Sequence, residues 1–400
     1  MRVPDPAVLV IEGSDFDTFP VGGQLSMARS LMKLFGNRLA LVGMSSGDLP
    51  IGRWIEREIS GTPYLFFSVC RKEPSAERPI IPVRLSFYLA LRRFRREICS
   101  LGCGAAFVQA PEALLAVSRW NCGSLCYRFA GVENPLNVSR YPFVRPFRRL
   151  LDKSLFSALD RVDVILATAD QDAINALVAR SNGRLRGDKL IQMPTCVDSS
   201  LFHPVLSQNA RAKLRLPKSC KVFVNSGRIG RFKGWDLLLD AFEEFLRRDR
   251  DALLFFVGDG EDRCLLQAQI DERKLGLRVK ITGFQRPGEV ASYLNAADVI
   301  ISGSLQEGWS VAMLEALACG KPIVSTEVSG ATAMIKPGQN GFIVKGRNPL
   351  QFADAMENAL CLTNAEQVST SIAAGFGLKR MGETLARVWP IFPKYEYEGN

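Results

Sequence analysis

A chain of 400 residues with 47% hydrophobic and 23% charged residues, its 33 Gly and 21 Pro scattered, has material for two cores and excludes a disordered or collagen-like protein. Its formal charge of +10 is concentrated: residues 78–153 hold 13 Arg and Lys against four Asp and Glu, which points to an anionic partner surface. The single histidine, His203, and ten dispersed cysteines exclude most histidine-based hydrolase chemistry and a disulfide scaffold.

In chain order, the opening MRVPDPAVLVIEGSDFD has an apolar run too short for a signal peptide, and no later run reaches the about 18 apolar residues of a membrane span. A cytoplasmic protein with free thiols is expected. Short β-branched runs then alternate with stretches of helical period, which predicts βαβ units on parallel sheets. Strands are expected at Val8–Ile11, Leu39–Val42, Leu65–Val69, Ala105–Gln109, Leu125–Phe129, Val164–Ala167 and Leu190–Met193. The turn-rich MPTCVDSSLFHPVLSQNA interrupts the pattern, which restarts at Val222–Asn225, Leu253–Val257, Val279–Thr282, Val299–Ser302, Pro322–Ser325 and Phe342–Val344. The expected α/β architecture is two Rossmann-like, doubly wound domains facing an interdomain cleft: residues 1–195, a linker over 196–217, residues 218–375, and a C-terminal helix and tail over 376–400 packing back on the first domain. Ligands of such sheets bind at the carboxyl ends of the strands.

Several motifs point to nothing specific. Cys99/Cys103 and Cys122/Cys126 have three intervening residues, and buried thiols are expected there rather than zinc. Gly227-Arg-Ile-Gly230-Arg-Phe-Lys233 looks like a phosphate-binding loop, but Gly234 stands where Ser or Thr should hold magnesium. Asp15/Asp17 and Asp249/Asp251 read as turns, so no metal is expected.

The chemistry concentrates in two strand-end clusters of the second half. After the strand ending near Ser302, a small-residue loop leads into a helix starting near Val311, whose first N–H groups and positive dipole end suit a phosphate or sugar hydroxyls. Glu307 lies just before that helix and Glu315 about one turn inside it, so two carboxylates bracket its start. The strand ending near Ser226 runs into Arg228, Arg231 and Lys233 before an amphipathic helix; a guanidinium fork and an ammonium suit a diphosphate.

The blocks GRIGRFKGWDLLLDAF, FFVGDGEDRCLL, ITGF, EGWSVAMLEALACGKPIVST and SGATAMIKPGQNGFIV, with the E-x7-E spacing of Glu307 and Glu315, resemble the retaining GT-B glycosyltransferases of family four over about residues 190–345. In the first half the resemblance rests on FPVGGQLSMARSLMKLFG, whose Gly22-Gly23 is similar to the family's donor-side glycine loop. The resemblance implies a metal-independent, retaining hexosyltransferase acting on a UDP- or GDP-type sugar donor, with no separate cofactor. It implies that Arg228 and Lys233 contact the diphosphate, Glu315 the ribose, and Glu307 a donor-sugar hydroxyl. The backbone of Gly308, Trp309, Ser310 and Val311 would lie beside that sugar, Phe284 near the base, and Gly23 would let its loop approach the phosphates. Relatives place a histidine near the reacting sugar where Ala130 stands here; Arg128, Glu112 or Glu133 are candidates to replace it. A catalytically silent binding protein and a nucleotide-sugar epimerase or phosphorylase on the same fold are the alternatives.

Residues 84–98 place Phe87, Leu91, Phe94 and Ile98 at helical spacing opposite Arg84, Arg92, Arg93, Arg95 and Arg96, and a second basic stretch follows at 140–153. Such a helix either lies on an anionic membrane or packs on a core with a solvated basic side. The membrane reading implies a peripheral enzyme at the inner face of the plasma membrane with a lipid-linked or polysaccharide acceptor, as in cell-surface (lipopolysaccharide-type) glycan synthesis. No nucleic-acid-binding signature is present, and no nucleic-acid partner is expected.

Overall fold

The computed structural model describes residues 6–17, 23–72, 82–121, 123–131, 134–137, 141–389 and 391. Two units partition it, the first running to Thr195 and taking in residues 381–389, the second spanning Cys196–Arg380.

The first unit carries strands β1 (Val8–Ile11), β2 (Leu39–Ser45), β3 (Trp54–Ile59), β4 (Thr62–Arg71), β5 (Ala105–Val108), β6 (Ser124–Phe129), β7 (Val164–Ala167) and β8 (Leu190–Gln192) in the order β3-β4-β2-β1-β5-β6-β7-β8. All neighbours are parallel except β3 and β4. β3 was not expected from the sequence, because WIEREI interleaves its apolar residues with charges. An antiparallel edge strand needs only one buried face. Its register is set by Ser60 and Gly61, both at positive φ, which close a two-residue hairpin onto Thr62.

The second unit carries β9 (Lys221–Ser226), β10 (Ala252–Val257), β11 (Val279–Ile281), β12 (Val299–Ser302), β13 (Ile323–Thr326) and β14 (Gly341–Val344), all parallel in the order β11-β10-β9-β12-β13-β14. Its strands are apolar runs because both faces are covered. Phe223 and Ile301 enter one core with Leu238, Phe242 and Phe352, while Val222, Val224 and Ile300 enter the other with Leu294, Met313 and Leu317. Strand order reverses between β9 and β12, and in the first unit between β1 and β5. The crevice at such a switch point is where doubly wound sheets bind ligands.

The expected helix over 84–98 is two helices, Val83–Arg93 and Arg95–Cys99, broken at Phe94. Its apolar stripe does not face outward: Phe87, Leu91 and Ile98 are fully buried in the core of the first unit, and Phe94 packs against it. The membrane reading of that stripe is therefore corrected, since a side chain already packed in the core has no surface left to insert. Among the described residues no helix is long and apolar enough to cross a membrane.

Candidate active site

The switch point of the second unit is built by two loops that glycine allows to touch. β9 ends in Asn225 and Ser226, and the chain passes through one tight turn, Arg231–Lys233, before Gly234 at φ +66 opens the helix Trp235–Arg248. A Cβ on Gly234 would sit 1.7 Å from the carbonyl oxygen of Gly303, just past the end of β12, so only glycine admits this approach. The contact is fastened on both sides. Leu305 N donates to Phe232 O at 2.9 Å. Arg347 donates to Gly303 O at 3.1 Å and to Asp236 Oδ1 at 2.7 Å.

This fastening brings the cation of one loop onto the carboxylate of the other. Lys233 Nζ donates to Glu307 Oε1 at 2.5 Å, and Ser304 Oγ donates to the same oxygen at 2.7 Å. Glu307 is held nearly buried while Lys233 remains 37% exposed, so the ammonium keeps N–H groups toward solvent. Ser310 caps the helix Val311–Ala318 by accepting from Met313 N. The first N–H groups of that helix have no intrahelical acceptor and face the loop. One pocket is lined by Ser226, Arg228, Lys233, Ser304, Glu307 and Ser310. Ser226 Oγ is buried there with no hydrogen-bond partner among the described residues, a polar group that a ligand could satisfy. Arg228 reaches the pocket from an exposed position, its Nε 3.8 Å from Glu261 Oε2.

The remaining expected residues are not among those that line this pocket. Glu315 is half-buried in the helix Val311–Ala318, where its charge contributes, after burial itself, to pushing the Cys319 thiol up to about 12. Gly308 and Val311 are half-buried. Trp309 is buried against Phe376 and Gly330, and its Nε1 has no partner among the described residues. Phe284 is exposed beyond β11. Gly23 belongs to the other unit, as the exposed first residue of the helix Gly23–Phe35. His203 is exposed beside the helix that carries Asn295, which donates to its carbonyl.

Arg128 and Glu112, two of the candidates for the missing histidine's role, lie in the first unit. Ala130 follows β6 and is half-buried, and Glu133 lies outside the described residues. Arg128 is buried and committed to Gln109 Oε1 at 2.9 Å and Thr195 Oγ1 at 2.6 Å. It braces the ends of β5 and β6 and has no exposed face to offer a substrate, which corrects its reading as a replacement base. Glu112 lies 3.8 Å from Arg84. The sequence reading missed Glu12, which directly follows β1 and accepts from Gln109 Nε2 at 3.2 Å. Burial, reinforced by the Glu112 carboxylate, pushes its pKa up to about 8. An acidic residue directly after a fully buried strand was the available signal.

Residues 207–371, which contain all of the residues that line the pocket, match the family described as Glycosyl transferases group 1. The chain is 30% identical over 208 residues to a D-inositol 3-phosphate glycosyltransferase of Catenulispora acidiphila, a match covering 48% of this chain and 49% of that one. The chain thus spans about half the length of the curated relatives it matches. Sucrose-phosphate synthase from Thermosynechococcus elongatus superposes with a TM-score of 0.78 at 18% identity, over 96% of this chain and 98% of that one. Anabaena HepE in complex with UDP-glucose superposes with a TM-score of 0.70 at 17% identity, over 96% and 99%. These likenesses fix the fold as GT-B, and residues 207–371 are similar to the group 1 glycosyl transferases.

Proposed function

We propose that the chain is a retaining glycosyltransferase that moves a sugar from a nucleoside-diphosphate donor to a glycan or lipid-linked acceptor. The observation that carries this reading is the convergence of Arg228, Lys233, Ser226, Glu307 and the start of the helix Val311–Ala318 on one pocket at a switch point. HepE was crystallised with UDP and with UDP-glucose, which supports a uridine donor.

In this reading Lys233 and Arg228 hold the diphosphate, and Glu315 takes the ribose hydroxyls. Glu307 has already spent Oε1 on Lys233 and Ser304, which fixes the carboxylate's orientation and leaves Oε2 to accept from a hydroxyl of the donor sugar. The backbone of Gly308, Trp309, Ser310 and Val311 borders the sugar, and Phe284 flanks the base. The anomeric carbon–oxygen bond to the diphosphate breaks as the acceptor oxygen bonds on the same face, and the acceptor proton passes to the departing phosphate oxygen. That route needs no enzymic base, consistent with Ala130 at the position where relatives carry histidine and with Arg128 committed elsewhere. Stabilising the negative charge that gathers on the leaving diphosphate is then the main catalytic term, and preorganised cations supply it without reorganisation.

UDP release from UDP-sugars, with and without candidate acceptors, tests the assignment. Glu307→Gln should lower kcat on the order of 100-fold with an unchanged melting temperature. Lys233→Ala should weaken UDP binding at least about tenfold. Full activity of Glu307→Gln, or UDP affinity indifferent to Lys233, sinks it.

A further inference from the structure

We propose that the outer face of the first unit around residues 141–153 docks on an anionic lipid surface. The segment Pro142–Phe147 is a tight helical turn that continues into the helix Arg148–Leu159. The inner side of that helix is spent on the core through Leu155, Phe156 and Leu159. The outer side is not polar: Phe143, Phe147 and Leu150 are 66%, 58% and 61% exposed. Between and beyond them Arg145, Arg148, Arg149 and Lys153 are exposed as well, and among the described residues none has a carboxylate within ion-pair reach. The sequence has no Asp or Glu from 134 to 151, and Asp152 is taken by Arg180 at 3.5 Å.

A second strip lies in the same layer. The helix Val83–Arg93 packs on the helix Pro111–Val117, which packs on Arg148–Leu159, all over one core. Its exposed residues include Leu85, Leu89, Arg92 and Arg93. Exposed phenyl and leucyl side chains ringed by uncompensated cations are the composition of an interfacial membrane face, where apolar groups enter the acyl boundary and cations meet the headgroups. A second copy of the chain is disfavoured, since it would set two cationic faces against each other. Nucleic acid fits less well because Leu85, Leu89 and Leu150 offer nothing to a base stack. The proposal deepens the reading of a lipid-linked acceptor by naming the surface that would carry the enzyme to it.

Flotation of the full chain with vesicles of phosphatidylcholine alone or mixed with phosphatidylglycerol tests this. Binding is expected only to the anionic vesicles and is lost at high salt. Phe143→Ser/Phe147→Ser should lower the partition on the order of tenfold, and Arg145→Ser/Arg148→Ser/Arg149→Ser on the order of 100-fold. All five side chains are exposed, so melting and UDP affinity should be unchanged in both variants. No flotation with anionic vesicles at low salt, equal binding to neutral vesicles, or indifference to either variant overturns the proposal. So does tight binding of an oligonucleotide that survives the phenylalanine substitutions and displaces the vesicles. Failure of the parent chain to bind UDP would instead sink the transferase reading and leave the flotation result standing.

Discussion

Glu12 follows β1 with its buried carboxyl accepting from Gln109, and burial first, then the Glu112 carboxylate, raises its pKa from 4.5 to about 8. The sign follows from proton linkage. Between those two values the folded state holds a proton that the unfolded state has released, so stability falls as pH rises through that window and is flat below it. Glu12→Gln removes the titration, and melting of the first unit should then vary less between pH 5 and pH 8 than in the parent; a parallel pH profile for the two proteins contradicts the buried, protonated carboxyl. Beyond its place directly after a buried strand, the sequence around Glu12 carries no mark of these contacts, for a physical reason. Glu12 owes its burial to Gln109, 97 positions away, and Arg128 is consumed by Gln109 and by Thr195 at the far end of the unit. Glu307 and Lys233 were legible because they lie beside strand ends in loops whose residue types leave few other roles, although their direct pairing at 2.5 Å was not expected.

At the level of elements, glycine at a loop junction decides whether the pocket at the second unit's switch point forms. Gly234→Ala adds a methyl 1.7 Å from Gly303 O on a backbone at φ +66, whereas Gly346→Ala, at φ +73, meets nothing within 4 Å. Both carry the backbone cost of about 1 kcal/mol. Only the first must also part the β9 and β12 loops, and with them Lys233 from Glu307. Calorimetry with UDP should therefore show at least about tenfold weaker binding for Gly234→Ala and unchanged binding for Gly346→Ala. Equal affinities would mean the pocket does not depend on that contact. The regular strands were readable because a sheet covered on both faces demands uninterrupted apolar runs, as in Val222–Val224 and Val299–Ile301. The same criterion passed over β3, whose edge position tolerates Glu56, Arg57 and Glu58. It also could not tell whether the Phe87, Leu91 and Ile98 stripe met lipid or core, since periodicity reports amphipathicity and not the partner.

For the molecule as a whole, the chain visits the first unit twice, at its beginning and again from Met381. The helix Leu378–Val388 presents Met381 and Leu385 to the interior, and Trp389 follows, fully buried against Phe107 of β5 with Nε1 donating to Ser124 Oγ of β6 at 2.8 Å. The restart of the strand pattern after residue 217 made two sheets legible, because each needs its own set of apolar runs. The return is harder to read, since a single amphipathic helix carries no mark of which core it completes. Trp389 is a peripheral residue in sequence and a central one in the packing of the first unit, and the two units can be perturbed separately on that account. Trp389→Ala leaves a large cavity and strips Ser124 of a donor, a loss of about 3–5 kcal/mol. It should lower the melting transition of the first unit by that amount. UDP at 100 times its Kd should still stabilise the second unit by about 2.7 kcal/mol, as in the parent chain. Scanning calorimetry of both proteins with and without UDP reads the two effects together. A UDP-induced shift abolished by Trp389→Ala would show that donor binding requires an intact first unit, and a first-unit transition unmoved by the substitution would show that Trp389 is not part of its core.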